Sequence, residues 1–359
     1  MILKIYQKYI VKNFLLMILN VSSVFLGLII IMSVFEEISF FSKIDVSIYF
    51  PILLVILNSL SVLYEIFPFI FLIGVQFFFI KFLDSNELIA FKSYGLSNIK
   101  ILKIIMLTSF FSGTIIMSIF YNFSSILKFK YIDLKNQYTN DNRYLASITE
   151  NGLWIKDENK NQTYIINAEK ISLNELHSVD VIVLSNDFIL DKTIFAEKVD
   201  ISNKQWLMND VKIIEGNSVN KFDEYVFFSN FDYEKINNLY SNLSSLTIFD
   251  LLKLRKDYRS VNYSVTDIDI HIKAIFSYPF FLTIMSVFSS IIMMNIKHQK
   301  PKIFYIVGGI IFSVLIYYLN FFFSALGKNE QIPATLSVWL PIILLSIISL
   351  IGMTRLNEK

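Results

Sequence analysis

Residues 46–80 read VSIYFPILLVILNSLSVLYEIFPFIFLIGVQFFFI, 35 positions whose one charge is Glu65. A hydrocarbon core of about 30 Å takes about 20 helical residues to cross, so the run holds either one long helix or two spans. Two spans would have to reverse around residues 63–66, where the sequence offers no Gly, no Asn and no loop length. One helix is therefore expected, with residues 66–82 crossing the core and 46–64 running on past the outer surface. Pro68 marks a bend within it, because proline removes a backbone donor and crowds the preceding turn. Five further runs of span length carry no charge at all: residues 13–35, 104–127, 274–296, 303–326 and 331–354. The expectation is an α-helical membrane protein with six transmembrane helices.

Composition points the same way. Of 359 residues, 54% are hydrophobic, 16% aromatic and 17% charged, where ordinary soluble domains carry about 25% charged residues. With no Cys, disulfide frameworks and thiolate chemistry are excluded. The net charge of +2 hides an asymmetry: residues 128–269 hold 17 Lys and Arg against 22 Asp and Glu, net −5, leaving +7 for the rest. That middle region has no apolar run of span length. It has short alternating segments at 152–156, 163–166, 179–184, 193–201, 206–214 and 225–231, separated by Asn, Asp, Ser and Gly clusters, the pattern of an all-β sandwich or jelly roll. Residues 247–258 read as a short helix leading back to the membrane.

Three parts result: residues 1–127 with spans 1–3, residues 128–268 with the β-domain, and residues 269–359 with spans 4–6. Six spans put both termini on one side, and the positive-inside rule chooses it. The segments then facing the cytoplasm carry twelve Lys and Arg, among them Lys4, Lys8, Lys12, Lys81, Lys92 and Lys100, against Asp84, Glu87 and Glu358. The β-domain is thereby expected outside. Basic residues precede the first run, but its length and the lack of a small-residue cleavage pattern favour a retained span over a signal peptide.

Enzyme chemistry finds little footing. No phosphate-cradling Gly-rich loop, zinc-protease helix or nucleophile elbow occurs, and His177, His271 and His298 fall on different expected modules. No catalytic, metal or cofactor site is expected on this chain, and nothing points to nucleic acid. Glu65 sits roughly 25 Å from the inner end of its helix at 1.5 Å per residue, so it is read as an interfacial carboxylate. Spans without charges argue against an ion-coupled transporter and for a machine powered from outside the chain.

Between spans 2 and 3, Asp84-Ser85-Asn86-Glu87 reads as a capping box, with Asp84 as the cap and Glu87 at the third helical position. Gly95 supplies a left-handed stop. A short cytoplasmic helix over about 85–94 follows. It is either an amphipathic element lying on lipid or a coupling helix that docks in an ATPase groove, with Glu87 as ionic partner and Leu88 and Phe91 as apolar contacts.

These segments carry a resemblance. Phe67-Pro68-Phe69-Ile70-Phe71-Leu72-Ile73-Gly74 is similar to an F-P-x-x-x-L-x-G motif, and Glu87-Leu88 through Gly95-Leu96-Ser97 to an E-L-x-x-x-x-x-G-x-[ST] coupling segment. Both belong to the lipopolysaccharide export permeases, the LptF/LptG family. Gly152-Leu153-Trp154-Ile155-Lys156-Asp157 resembles the G-L-W-x-[KR]-D strand of the LptG-like branch. The resemblance runs in order over nearly the whole chain. It implies one of two permease subunits in an ABC-type exporter of the bacterial inner membrane. A separate cytoplasmic ATP-binding dimer would drive it, and it would take lipopolysaccharide from the outer leaflet to a periplasmic jelly-roll bridge.

Relatives place basic residues at the outer end of span 1 for lipid phosphates, whereas this chain reads Phe35-Glu36-Glu37 there, with Lys43 the nearest cation. Lys128, Lys130 and Lys135 after span 3 are the better phosphate candidates, beside the reading of plain solvated interface residues. Phe67, Tyr318 and Phe322 are candidate acyl-chain contacts. The competing class is a membrane-anchored scaffold or signal transmitter with an external ligand-binding β-domain.

Overall fold

With no reversal signal in 36 consecutive residues, the chain makes a single helix: in the computed structural model α2 runs unbroken over Tyr49–Asp84. The structure describes residues 4–42, 46–136, 138, 146–149, 152–159, 162–172, 174–185, 189–216, 218–233, 236, 242–260, 264–294 and 303–357. Two compact units emerge, Met1–Ile132 with Asp269–Lys359, and Asp133–Ile268.

Among the described residues, six helices are long and apolar enough to cross a membrane. They are α1 (Ile5–Phe41), α2, the continuous rod of α4 (Asn98–Ile115), a π-turn (Ile116–Phe120) and α5 (Tyr121–Asn136), then α7 (Thr266–Met294), α8 (Ile303–Lys328) and α9 (Ala334–Asn357). The short α3 (Glu87–Ser93) lies between α2 and α4. The first, third, fourth and fifth rods exceed their charge-free runs, because a helix continues through the interface where charged residues are solvated. At 1.5 Å per residue α2 is about 54 Å long, well beyond a hydrocarbon core.

Hydrogen bonds to its backbone tie α2 into the interior. Pro68 has no N–H to give the Tyr64 carbonyl four residues back, and that carbonyl instead accepts from the Tyr278 hydroxyl of α7. The Tyr64 and Tyr278 rings stack with centroids 4.4 Å apart. One further link comes from Ser289 Oγ, which donates to the Leu72 carbonyl at 2.7 Å. Where lipid is as apolar as Leu, such bonds and close backbone approach hold helices together. Gly74 shows the approach: a Cβ there would lie 2.5 Å from Ile18 Cδ1 of α1. Gly309 of α8 is tighter still, with a Cβ falling 1.9 Å from the Gln76 Nε2 that donates to the Tyr305 carbonyl at 3.0 Å.

The second unit is the expected all-β insertion. Seven antiparallel strands, β1 (Ala146–Thr149), β2 (Gly152–Asn159), β3 (Gln162–Ser172), β4 (Glu175–Ser185), β5 (Leu190–Asp200), β6 (Gln205–Glu215) and β7 (Ser218–Phe228), form one sheet in sequence order. A sandwich of two sheets is not what the described strands make. One face is buried, and its alternation skips a position at Leu176 then Val179 on β4 and at Met208 then Val211 on β6, with the pairing register the same on either side. At both skips a residue has positive φ, Ser178 at 51° and Asp210 at 54°. Asp157, the acid of the Gly152–Asp157 motif, is buried and accepts from Ser229 Oγ, Asn230 N and Asn230 Nδ2 at 2.7–2.9 Å, so that motif residue pins β2 to the segment leaving β7. The expected short helix is α6 (Ile248–Ser260), with Thr247 and Asp250 exchanging hydrogen bonds as a capping box.

Candidate functional site

At the end of the spans that carries α3, the local sequence builds a different start from the expected one. α2 extends through Asp84, Asn86 takes a left-handed φ of 57°, and the helix begins at Glu87. Asp84 is therefore the last residue of α2 and not a cap, and Glu87 is the first helical residue and not the third. A carboxylate in the first turn still faces the positive end of the helix dipole. The expected stop is present: Gly95 has φ 79°, its N–H reaches the Lys92 carbonyl, and the Leu96 N–H reaches the Phe91 carbonyl, the paired bonds of a Schellman motif.

The faces of α3 are assigned by packing. Leu88 is buried with Phe78, Phe79, Phe82 and Ile101, and the Phe91 ring lies 5.8 Å from that of Phe82 and 6.3 Å from that of Tyr9. Both residues anchor α3 to the membrane unit. Exposed instead are Ile89, Ala90 and Tyr94, the last 88% accessible. An apolar groove of about 1170 Å³ opens beside them, lined by Ile5, Tyr6 and Tyr9 of α1 and by Glu87, Ala90, Phe91 and Tyr94.

At the opposite end, where the chain leaves for the β-sheet, polar groups from four rods converge. Lys128 Nζ of α5 lies 3.6 Å from Glu65 Oε1 of α2. Tyr121 hydroxyl and His271 Nε2 of α7 are 3.0 Å apart, and the ammonium groups of Lys128 and Lys328 both act electrostatically on that imidazole. Tyr131 donates to the buried Glu37 carboxylate at 2.7 Å. Of the other expected cations, Lys130 is exposed and Lys135 half-buried, while Lys43 lies outside the described residues. Phe67 packs inside the core, edge-on to Phe120 at 5.2 Å. Tyr318 and Phe322 face outward from α8, 63% and 58% exposed.

Sequence reading missed the partners of Glu65 and the pairing of Tyr121 with His271, which join residues 63 to 150 positions apart. The available signal was Pro68, whose missing donor calls for another group at the Tyr64 carbonyl.

Six apolar rods, with the proline-containing α2 the most buried of them, and one antiparallel sheet inserted after the third define a multi-pass helical membrane protein with a β-sheet domain. The family model of the lipopolysaccharide export system permease LptF/LptG matches residues 8–355, and the chain belongs to that family. No curated protein matches the chain.

Proposed function

We propose that this chain is one permease subunit of an ABC-type lipopolysaccharide exporter in the bacterial inner membrane, with both termini cytoplasmic and the β-sheet periplasmic. It takes lipopolysaccharide from the outer leaflet and passes it along the sheet to a periplasmic bridge of like domains. A second permease of the family completes the lipid path, and a separate cytoplasmic ATP-binding dimer hydrolyses ATP. The Gly152–Asp157 segment favours the LptG-like branch.

The observation that carries this reading is α3. A chain without a nucleotide site responds to ATP only through contacts whose energy differs between the states of the ATPase. α3 is anchored from beneath by Leu88 and Phe91, stopped at Gly95, and presents Glu87, Ile89 and Tyr94. At the other end Lys128 and Lys130 serve the lipid phosphates, while the outward Tyr318 and Phe322 serve acyl chains or the second permease. The edge strand β7 pairs only with β6 among the described strands, leaving a ladder for the bridge to extend.

The test is transfer of labelled lipopolysaccharide by the reconstituted complex. Glu87→Lys opposes both the helix dipole and a basic partner, and is expected to lower ATP-driven transfer by about tenfold or more, the effect of losing about 1.4 kcal/mol of coupling, with the spans still inserted. Tyr94→Ala should weaken ATPase capture. Normal transfer by purified Glu87→Lys complex would return α3 to a helix lying on lipid. For orientation, a Cys at Glu197 should label from outside the inner membrane and one at Tyr94 only from the cytoplasm; the reverse pattern overturns it.

A further inference from the structure

The pair Glu65 and Lys128 is loose and unevenly covered. Its 3.6 Å separation exceeds the 2.7–2.9 Å of a tight charge-assisted hydrogen bond. The two ends are also unequally covered, with the Lys128 side chain 15% accessible and that of Glu65 59%. The cation is set into the protein, and the anion reaches it from the open side. The backbone beneath Glu65 is fixed, because the neighbouring Tyr64 carbonyl and ring are both held by Tyr278. A change of partner at Lys128 therefore asks only for rotation of the Glu65 side chain.

Lys128 also acts electrostatically on His271, whose Nε2 lies 3.0 Å from the Tyr121 hydroxyl. A phosphate monoester carries about −1.5 to −2 charges and three strong acceptor oxygens, more than the single negative charge with which a carboxylate faces Lys128.

We propose that Glu65 is a built-in stand-in for a lipid phosphate: it holds Lys128 in the free protein, and a phosphorylated lipid headgroup binds by displacing it from Lys128. The proposal rests on the permease reading above and deepens it. Glu65 then works as a filter, since a lipid without phosphate cannot replace the carboxylate and leaves the pair closed.

The experiment measures equilibrium binding of fluorescent lipid A, phosphorylated or with its phosphates removed, to the assembled complex in detergent. Glu65→Gln removes the competitor and is expected to tighten the phosphorylated lipid about threefold, the size of one partly exposed ion pair, with the dephosphorylated lipid unchanged. Lys128→Gln should weaken the phosphorylated lipid and erase the preference between the two. The exchange Glu65→Lys with Lys128→Glu keeps an ion pair, so it should preserve thermal stability yet still bind poorly. Full recovery of wild-type affinity in the exchanged pair, or equal weakening of both lipids by Glu65→Gln, would show a structural salt bridge and overturn the proposal. Inorganic phosphate at the lipid's concentration should not compete; equal competition overturns the lipid as the source of the phosphate. Failure of the wild-type complex to bind either lipid would instead sink the substrate reading itself.

Discussion

α2 and α8 are both apolar enough to span a bilayer, yet 67% of the most apolar stretch of α2 is buried within the chain against 17% of that of α8. Hydrophobicity does not separate them. Small and polar groups do: the residues α8 buries are Gly309, Ser313, Ile316 and Gly327, while it exposes Tyr317, Tyr318, Phe321 and Phe322. α2 buries Gln76 and Gly74 among its large side chains and accepts hydrogen bonds at the Tyr64 and Leu72 carbonyls. In water the large apolar face would turn inward. In lipid that preference vanishes, and the interior face is the one that allows close backbone approach and hydrogen bonding.

The sharpest way to break this comparison is at two adjacent glycines. A Cβ on Gly309 would collide with the Gln76 amide, whereas one on Gly308 meets nothing within 4 Å. Gly309→Leu should destabilise the detergent-purified chain by about 1–3 kcal/mol or more, and Gly308→Leu should leave its melting temperature unchanged. Equal effects at the two positions would mean that α8 is not seated on Gln76. A smaller effect is expected on the α2 side. Tyr278→Phe strands the Tyr64 carbonyl and should cost about 1 kcal/mol; with Pro68→Ala in the background the carbonyl regains a backbone donor, and the same substitution should become nearly neutral. An unchanged cost in the double variant, read by thermal denaturation, would uncouple the hydroxyl from the proline. The smallest effect belongs to the outward face of α8. Tyr318→Ser with Phe322→Ser should alter the stability of the isolated chain by less than about 0.5 kcal/mol while reducing recovery of the second permease in co-purification.

Pro68 illustrates how far a single residue can be read. Its place in a long apolar run signals a bend within one helix, and the helix is present over Tyr49–Asp84, but nothing local says that Tyr278, 214 positions from Tyr64, supplies a donor to the carbonyl that the proline leaves open. The α3 segment divides similarly. Gly95 was legible because a left-handed stop is a backbone requirement. The helix start was not, since α2 continued through Asp84 and withdrew the intended cap. Leu88, expected to meet a partner, is buried in the fold itself, whereas the half-buried Phe91 packs on Phe82 and still lines the open groove.

By itself the sequence determined the number of spans, the single long second helix, the β-patterned insertion after the third span and the family motifs. These follow from run length, period-two alternation and backbone demands that act within a few residues. Only the tertiary structure decided which helix is central, which face of α3 is free, that the sheet is one continuous meander, and that Lys128 meets Glu65. The physical reason is that lipid and side chains are equally apolar, so burial gives no direction. The choice falls to shape and hydrogen-bond geometry between residues far apart in the chain, such as Gln76 with Tyr305 and Tyr64 with Tyr278, which no local pattern encodes.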